Sequence, residues 1–179
     1  MNGTRRAVFL DRDGTLIEDL DYPREPERVR LLDGVGAGLR ALHDAGFALV
    51  VISNQSGIGR GIIDPAEAKA VHERFVAELR AEHVGLDGVW YCPHAPWVRC
   101  DCRKPSPAML LRAADELDVA LAESFMVGDK LSDAQAGRRA GCRTVVLGDN
   151  GDGGADDAAV DETASDWTSV VGLILSEDG

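Results

Sequence analysis

Ala7-Val8-Phe9-Leu10 runs directly into Asp11-Arg12-Asp13-Gly14-Thr15. The apolar run reads as a buried strand. It stops at two carboxylates one residue apart, followed by glycine and threonine. In an open α/β sheet the chemistry collects in the crevice beyond the carboxyl ends of the strands. Asp11 belongs at such an edge, and Asp13 in the turn just after it, close enough to share one site. Asp-x-Asp-Gly alone is also an ordinary polar turn. The remainder of the chain decides between a turn and a site.

The pattern repeats. Phe47–Ile52, Gly88–Tyr91, Ser124–Gly128 and Arg143–Leu147 are further apolar runs, and amphipathic stretches separate them. Asp33 is placed to cap a helix that carries Val35, Leu39 and Leu42 inward and ends at Gly46. Asp64-Pro65-x-Glu67 opens a helix that runs to about Glu82, with Val71, Phe75, Val76 and Leu79 on one face. His72 and His83, on or near its end, read as solvated. Pro105-Ser106-Pro107 opens a third helix, with Met109, Leu110, Ala113, Ala114 and Leu117 as its apolar stripe. Ala134–Ala140 is a fourth, and Asp166 caps a last one carrying Val170, Val171, Ile174 and Leu175. Strands alternating with helices predict a parallel sheet with helices on both faces. At 179 residues one domain, 1–179, is expected. Gly36-x-Gly38-x-x-Ala41 superficially matches a dinucleotide fingerprint, but it falls inside the first helix with no strand feeding it. Gly57-Ile58-Gly59-Arg60-Gly61 lacks the Lys-Ser/Thr ending of a nucleotide-binding loop.

The net charge of −12 argues against nucleic acid or an anionic membrane as a partner. A small anionic substrate is compatible with it, because local cations and a metal ion override the global field. No apolar run approaches about 18 residues, so no membrane span is expected. Arg5 and Arg6 precede only four apolar residues, too few for a signal-peptide core, and a cytoplasmic location is expected.

Several polar clusters are spaced along the chain. Ser53-Asn54-Gln55-Ser56-Gly57 follows the second strand, where a small hydroxyl and free backbone N–H groups suit a phosphate oxygen. Asp129 and Asp133 follow the fourth. Asp129 is placed to join Asp11 in an oxygen shell for Mg²⁺, and Asp133 is read either as a helix cap or as a support for that metal. Cys92-x-His94, five residues and Cys100-x-Cys102 supply three thiols and an imidazole, a set suited to tetrahedral zinc. Four protein ligands leave no open position, so the zinc is structural and pins the loop 92–102. The competing reading is a disulfide plus a free thiol, and Cys100 and Cys102 are too close in sequence to bridge comfortably. Cys142 reads as an inert buried thiol. Arg103 and Lys104 follow the last cysteine of the cluster and are held towards the strand ends. The polar loop from Glu18 to Pro26 is long enough to close over a substrate. Gly148–Asp161, acidic and nearly without apolar residues, reads as a mobile loop.

A carboxylate nucleophile, an adjacent acid/base carboxyl, a hydroxyl, a lysine and a metal carboxylate are the parts of phosphoryl transfer through an aspartyl-phosphate. The chain resembles the haloacid dehalogenase-like phosphatases in Asp11-Arg12-Asp13-Gly14-Thr15, Ser53-Asn54, Lys104 and Gly128-Asp129-Lys130-x-x-Asp133. Within them it is most similar to the zinc-loop subgroup that acts on D-glycero-D-manno-heptose 1,7-bisphosphate, at the 7-phosphate, or on histidinol phosphate. The features that carry this are Ser-Asn-Gln-Ser-Gly-Ile-Gly-Arg-Gly and Cys-x-His…Cys-x-Cys-Arg-Lys-Pro. The resemblance implies a Rossmann-like three-layer α/β fold with a minimal cap, acting as a monomer on a small sugar phosphate. It implies Asp11 as nucleophile and Asp13 as general acid/base, with Ser53 and Lys104 holding the transferring phosphoryl group. It implies Mg²⁺ on Asp11, the main-chain carbonyl of Asp13, and Asp129. It implies substrate contacts from Asp19, Asp21, Tyr22, Asn54, Gln55, Ser56, Arg103 and Lys130. A phosphosugar phosphotransferase, and a zinc-containing module that binds phosphosugars without turning them over, are the readings from other classes. The paired acids at 11 and 13 speak against the passive module.

Overall fold

Along the first strand, β1 (Ala7–Leu10), all four side chains are buried. They alternate between two cores, Val8 and Leu10 into one and Ala7 and Phe9 into the other. A strand buried on both faces must lie inside a sheet that helices cover on both sides. A computed structural model, describing residues 5–148 and 158–176, has that architecture. The strands are β1, β2 (Ala48–Asn54), β3 (Gly88–Cys92), β4 (Phe125–Gly128), β5 (Arg143–Leu147) and β6 (Glu162–Ala164). The helices are α1 (Val35–Asp44), α2 (Ser56–Gly59), α3 (Pro65–Ala81), α4 (Ala108–Leu117), α5 (Leu131–Ala140) and α6 (Trp167–Leu175). All strand pairs are parallel, in the order β3-β2-β1-β4-β5-β6.

Helices α1, α3 and α6 bury Leu39, Leu42, Phe75, Leu79, Val170 and Ile174 against one face of the sheet. The smaller stripes of α4 and α5, with Met109, Leu110, Ala113 and Ala136, close the other. The expected three layers are therefore present, with β1 at the centre. Helix α3 starts as expected. Asp64 accepts from the Ala66 and Glu67 N–H groups at 2.8 Å, and Glu67 accepts in return from the Asp64 N–H at 2.9 Å. Among the described residues no helix is long and apolar enough to cross a membrane.

The structure departs from the sequence reading in several places. The cap of α1 is Gly34, not Asp33, with φ +83 and no side-chain cap bond. The turn there needs a left-handed residue, which glycine adopts without penalty. Ser56–Gly59 forms one turn of helix where only a loop was expected. Strand β6 was not expected, because Glu-Thr-Ala carries no apolar run. It is secured from the side: the Asp161 carboxylate accepts the Thr144 N–H at 2.9 Å and pairs with Arg138 at 2.6 Å. The expected mobile loop falls largely on residues 149–157, outside the described residues. Its last part is ordered, with Ala159 buried and its carbonyl 2.6 Å from Thr144 Oγ1. Trp167, at the start of α6, is buried and donates its indole N–H to the Thr15 carbonyl at 2.8 Å. The last helix thus grips the turn that follows β1.

Two testable outcomes arise from this packing. Trp167→Phe leaves the Thr15 carbonyl buried without its donor and should lower unfolding free energy by about 2 kcal/mol, seen as a reduced urea midpoint at unchanged m-value. Burial alone pushes the Cys142 thiol up to about 12. The folded state therefore favours the protonated thiol, and this stabilisation is complete below the unfolded thiol value and is lost as pH rises towards 12. Mass spectrometry after iodoacetamide treatment at about pH 9 should find Cys142 unmodified until denaturant is added.

Candidate active site

Strand order brings three polar strand ends together. β1 lies between β2 and β4, so Asp11, Ser53 and Asp129 emerge side by side. The Asp11 N–H still joins the ladder, donating to the Val127 carbonyl at 2.9 Å. The carboxylates can converge because the neighbouring chain is stripped of side chains. Gly14 has φ +81, and a Cβ there would lie 2.4 Å from Asp129 Oδ2. A Cβ on Gly128 would lie 2.3 Å from the Cβ of Asp133, so only glycine lets the start of α5 approach β4 this closely.

Lys104 reaches this cluster from the loop before α4. Its ammonium donates to Asp11 Oδ1 at 2.8 Å, Asp133 Oδ1 at 2.6 Å and the Ile52 carbonyl at 2.7 Å. At 3% exposure the charge has no water to lean on, and all three of its protons are placed. Burial pulls its proton affinity down, but the Asp11 and Asp133 carboxylates outweigh burial and hold the ammonium above its ordinary value. Asn54 fixes the backbone that carries it, accepting the Lys104 N–H at 3.0 Å and donating to the Lys104 carbonyl at 3.2 Å.

Asp11, Asp129 and Asp133 offer carboxylate oxygens within 4.8 Å of one another. Burial, and then the nearby charge of Asp11, pushes Asp129 up to about 7. Buried acids that repel in this way fit a hard divalent cation, whose charge removes the conflict. Asp133 is already committed, to Lys104 through Oδ1 and to the Lys130 N–H at 3.1 Å through Oδ2.

The Asp13 carboxylate sits in a different setting. Arg12 Nη2 donates to both its oxygens at 3.0 Å, and Gln55 Nε2 donates at 2.7 Å. The same Gln55 amide donates to Ser53 Oγ at 2.9 Å, while its oxygen accepts from Arg12 at 2.9 Å. Gln55 thus ties Ser53, Asp13 and Arg12 together. Asp19, Asp21 and Tyr22 from the long loop, Asn54, Gln55 and Ser56 after β2, and Asp13 and Lys130 wall one cavity of about 230 Å³. Arg103 lies apart from that wall. Its guanidinium donates to the carbonyls of His94, Pro96 and Val98 at 3.2–3.3 Å, and to that of Ala95. It braces the cysteine loop from within.

In that loop Cys92 Sγ lies 3.7 Å from Cys100 Sγ, 2.7 Å from Cys102 Sγ and 3.5 Å from His94 Nδ1, and His94 Nδ1 lies 3.1 Å from Cys102 Sγ. All four cysteines of the chain are free thiols. Three sulfurs and one ring nitrogen gathered around a single point suit zinc, whose bonds of about 2.0–2.3 Å set tetrahedral edges of about 3.3–3.8 Å; the Cys92–Cys100 and Cys92–His94 separations have that size, and Cys102 lies closer to its neighbours.

Sequence reasoning missed Arg12, Tyr91 and His72. Arg12 is 2% exposed, and while Nε and Nη2 donate to Asp13, Nη1 donates to Tyr91 Oη at 3.4 Å. Burial opposes the Arg12 charge, but Asp13 and Tyr91 together more than compensate. His72, expected to be solvated, has its Nδ1 2.8 Å from the same Tyr91 hydroxyl. The one available signal was an arginine set between two catalytic-type acids. His72 carried none, because α3 and β3 meet only in the fold.

Residues 101–170 match the family model described as HAD-hydrolase-like. The chain is 45% identical over 168 residues to the D-glycero-beta-D-manno-heptose-1,7-bisphosphate 7-phosphatase of Escherichia coli K12, covering 90% of this chain and 86% of that protein. It is 42% identical to the Yersinia pestis protein of the same name, covering 90% and 88%. The crystal structure of D,D-heptose 1,7-bisphosphate phosphatase from B. bronchiseptica, complexed with magnesium and phosphate, superposes with a TM-score of 0.87 at 32% identity, covering 96% of this chain and 99% of that one.

Elemental analysis of the purified protein should find about one zinc per chain, and chelation should lower its melting temperature. A zinc-free protein with two of these cysteines joined would refute the site.

Proposed function

The chain belongs to the haloacid dehalogenase-like phosphatases, and from that membership we propose that it hydrolyses the 7-phosphate of D-glycero-D-manno-heptose 1,7-bisphosphate. The observation that carries the reading is the buried Lys104 ammonium, 2.8 Å from the Asp11 carboxylate at the meeting of three strand ends. A carboxylate can attack an anionic phosphoryl group only where fixed cations offset the repulsion between them. Lys104 is such a cation, and it leaves the second oxygen of Asp11 for the chemistry.

In this reading Asp11 attacks phosphorus and forms the aspartyl-phosphate. Asp13 protonates the departing sugar oxygen, then takes a proton from the water that cleaves the intermediate. Ser53 Oγ donates its proton to a phosphoryl oxygen, and the Lys104 ammonium beside Asp11 stabilises the charge of the transferring phosphoryl group. Asp11, Asp129 and the main-chain carbonyl of Asp13 would hold Mg²⁺, which when bound supplies positive charge to the transferring group. Zinc on Cys92, His94, Cys100 and Cys102 would be structural, because four protein ligands complete its shell. Asp19 and Asp21 in the cavity wall are acceptors, which suits the hydroxyls of a sugar. Free thiols support a reducing, cytoplasmic compartment. The protein is proposed to act as a monomer.

The same carboxylates favour a second reading, because they also suit the ammonium of histidinol phosphate. Comparing kcat/KM for the two substrates separates these readings, and heptose bisphosphate should be preferred at least about tenfold. Asp11→Asn and Asp13→Asn should each reduce phosphate release by at least about a hundredfold. Near-normal turnover in either variant would overturn the mechanism. Phosphate delivered to a second sugar instead of water would make the enzyme a phosphotransferase.

A further inference from the structure

Asp13 has its oxygens held by Arg12 and Gln55, and Gln55 is anchored to Ser53. Arg12 needs an anchor of its own, because a guanidinium free at its far side would let the carboxylate swing with it. Tyr91 provides one. Its hydroxyl accepts from Arg12 Nη1 at 3.4 Å, and the guanidinium carbon lies 5.4 Å from the centre of its ring. Tyr91 is opposite Ser53 in the β2–β3 ladder, so one sheet register places both ends of the support. The Tyr91 hydroxyl also meets His72 Nδ1 at 2.8 Å; with the ring proton on Nε2, Nδ1 takes the hydroxyl proton and turns a lone pair of the hydroxyl towards Arg12. Burial, followed by the charge of Arg12, lowers His72 below its ordinary value. The ring is then neutral and able to accept. The rings of His72 and Tyr91 meet edge to face, with centroids 5.5 Å apart. Both residues, with Arg12 and Gln55, line a cavity of about 190 Å³ whose apolar wall comes from Ile58, Ile63 and Val71. Arg12 is 2% exposed, so the bonds it makes to Asp13 and Tyr91 are stronger than they would be in water.

We infer that Tyr91 and His72 are positioning residues for Asp13, acting in series through Arg12. The inference rests on the proton-transfer role proposed for Asp13. Neither residue touches the cavity that takes the substrate. Their contribution is therefore to the placement of Asp13 in the transition state and not to substrate affinity.

The test is steady-state hydrolysis of heptose 1,7-bisphosphate and of p-nitrophenyl phosphate by Tyr91→Phe, His72→Leu, His72→Asn and the Tyr91→Phe/His72→Leu double variant, with melting temperatures measured alongside. Tyr91→Phe and His72→Leu should each lower kcat about tenfold on both esters while KM stays within about twofold, the size of one hydrogen bond to a charged group. His72→Asn places an amide oxygen near the position of Nδ1 and should recover most of the His72→Leu loss. Because the residues act in series, the double variant should lose no more than Tyr91→Phe alone. Wild-type kcat in Tyr91→Phe or His72→Leu, failure of His72→Asn to rescue, or additive losses would each overturn the inference. If Tyr91→Phe does not fold, the His72 pair decides, since His72 lies on a half-exposed helix face. A wild-type protein that cleaves p-nitrophenyl phosphate but not the bisphosphate overturns the substrate reading and leaves this one to the variants. One that cleaves neither overturns both.

Discussion

The site depends on burying the Lys104 ammonium between Asp11 and Asp133. An ion removed from water is costly unless its partners and hydrogen bonds are complete, and removing one partner of a buried pair leaves the other charge stranded. Lys104 meets that condition with two carboxylates and the Ile52 carbonyl. Much of the nearby structure serves this arrangement. Asn54 clamps the lysine backbone, Gly14 and Gly128 clear space for the acids, and the cysteine loop orders the chain that delivers the lysine. Arg103 works in the same direction by gathering the carbonyls of that loop.

The two acids of the first motif are thereby given different surroundings. Asp11 faces an ammonium and the carboxylates of Asp129 and Asp133. Asp13 faces a guanidinium and a glutamine amide supported from β2 and β3. Residues two apart along the chain are thus held by separate networks. This suits a reaction in which one carboxylate must bond to phosphorus while the other moves protons. The Trp167 indole links the turn after these acids to the last helix, so the C-terminal element of the fold bears on its first motif.

Much of this was readable in advance, for identifiable reasons. A strand buried on both faces must be continuously apolar, so β1, β2, β4 and β5 stood out as runs. Polar residues placed directly after such runs are the ones the sheet edge collects, which made Asp11, Ser53 and Asp129 visible. The α3 cap was visible because its two partners are three residues apart. The departures lie where local signals are weak or shared. Asp33 is a good capping residue beside a glycine whose backbone freedom won. β6 is three residues long, and a side chain outside it secures it. Gln55 and Asn54 looked like substrate contacts, and they do line the cavity, but their amides are also spent on Asp13 and on the Lys104 backbone.

The sequence alone determined the layered parallel architecture and the reactive residue types at the strand ends, because both arise from short-range periodicity and from where apolar runs stop. Only the tertiary structure decided which groups pair. Lys104 meets Asp11 and Asp133, Arg103 turns to the carbonyls of its own loop, and His72 reaches Arg12 through Tyr91. Each of these partnerships joins different elements of the fold or depends on how a loop closes. The distances that select among possible partners come into being only when strand order and helix packing bring those pieces together.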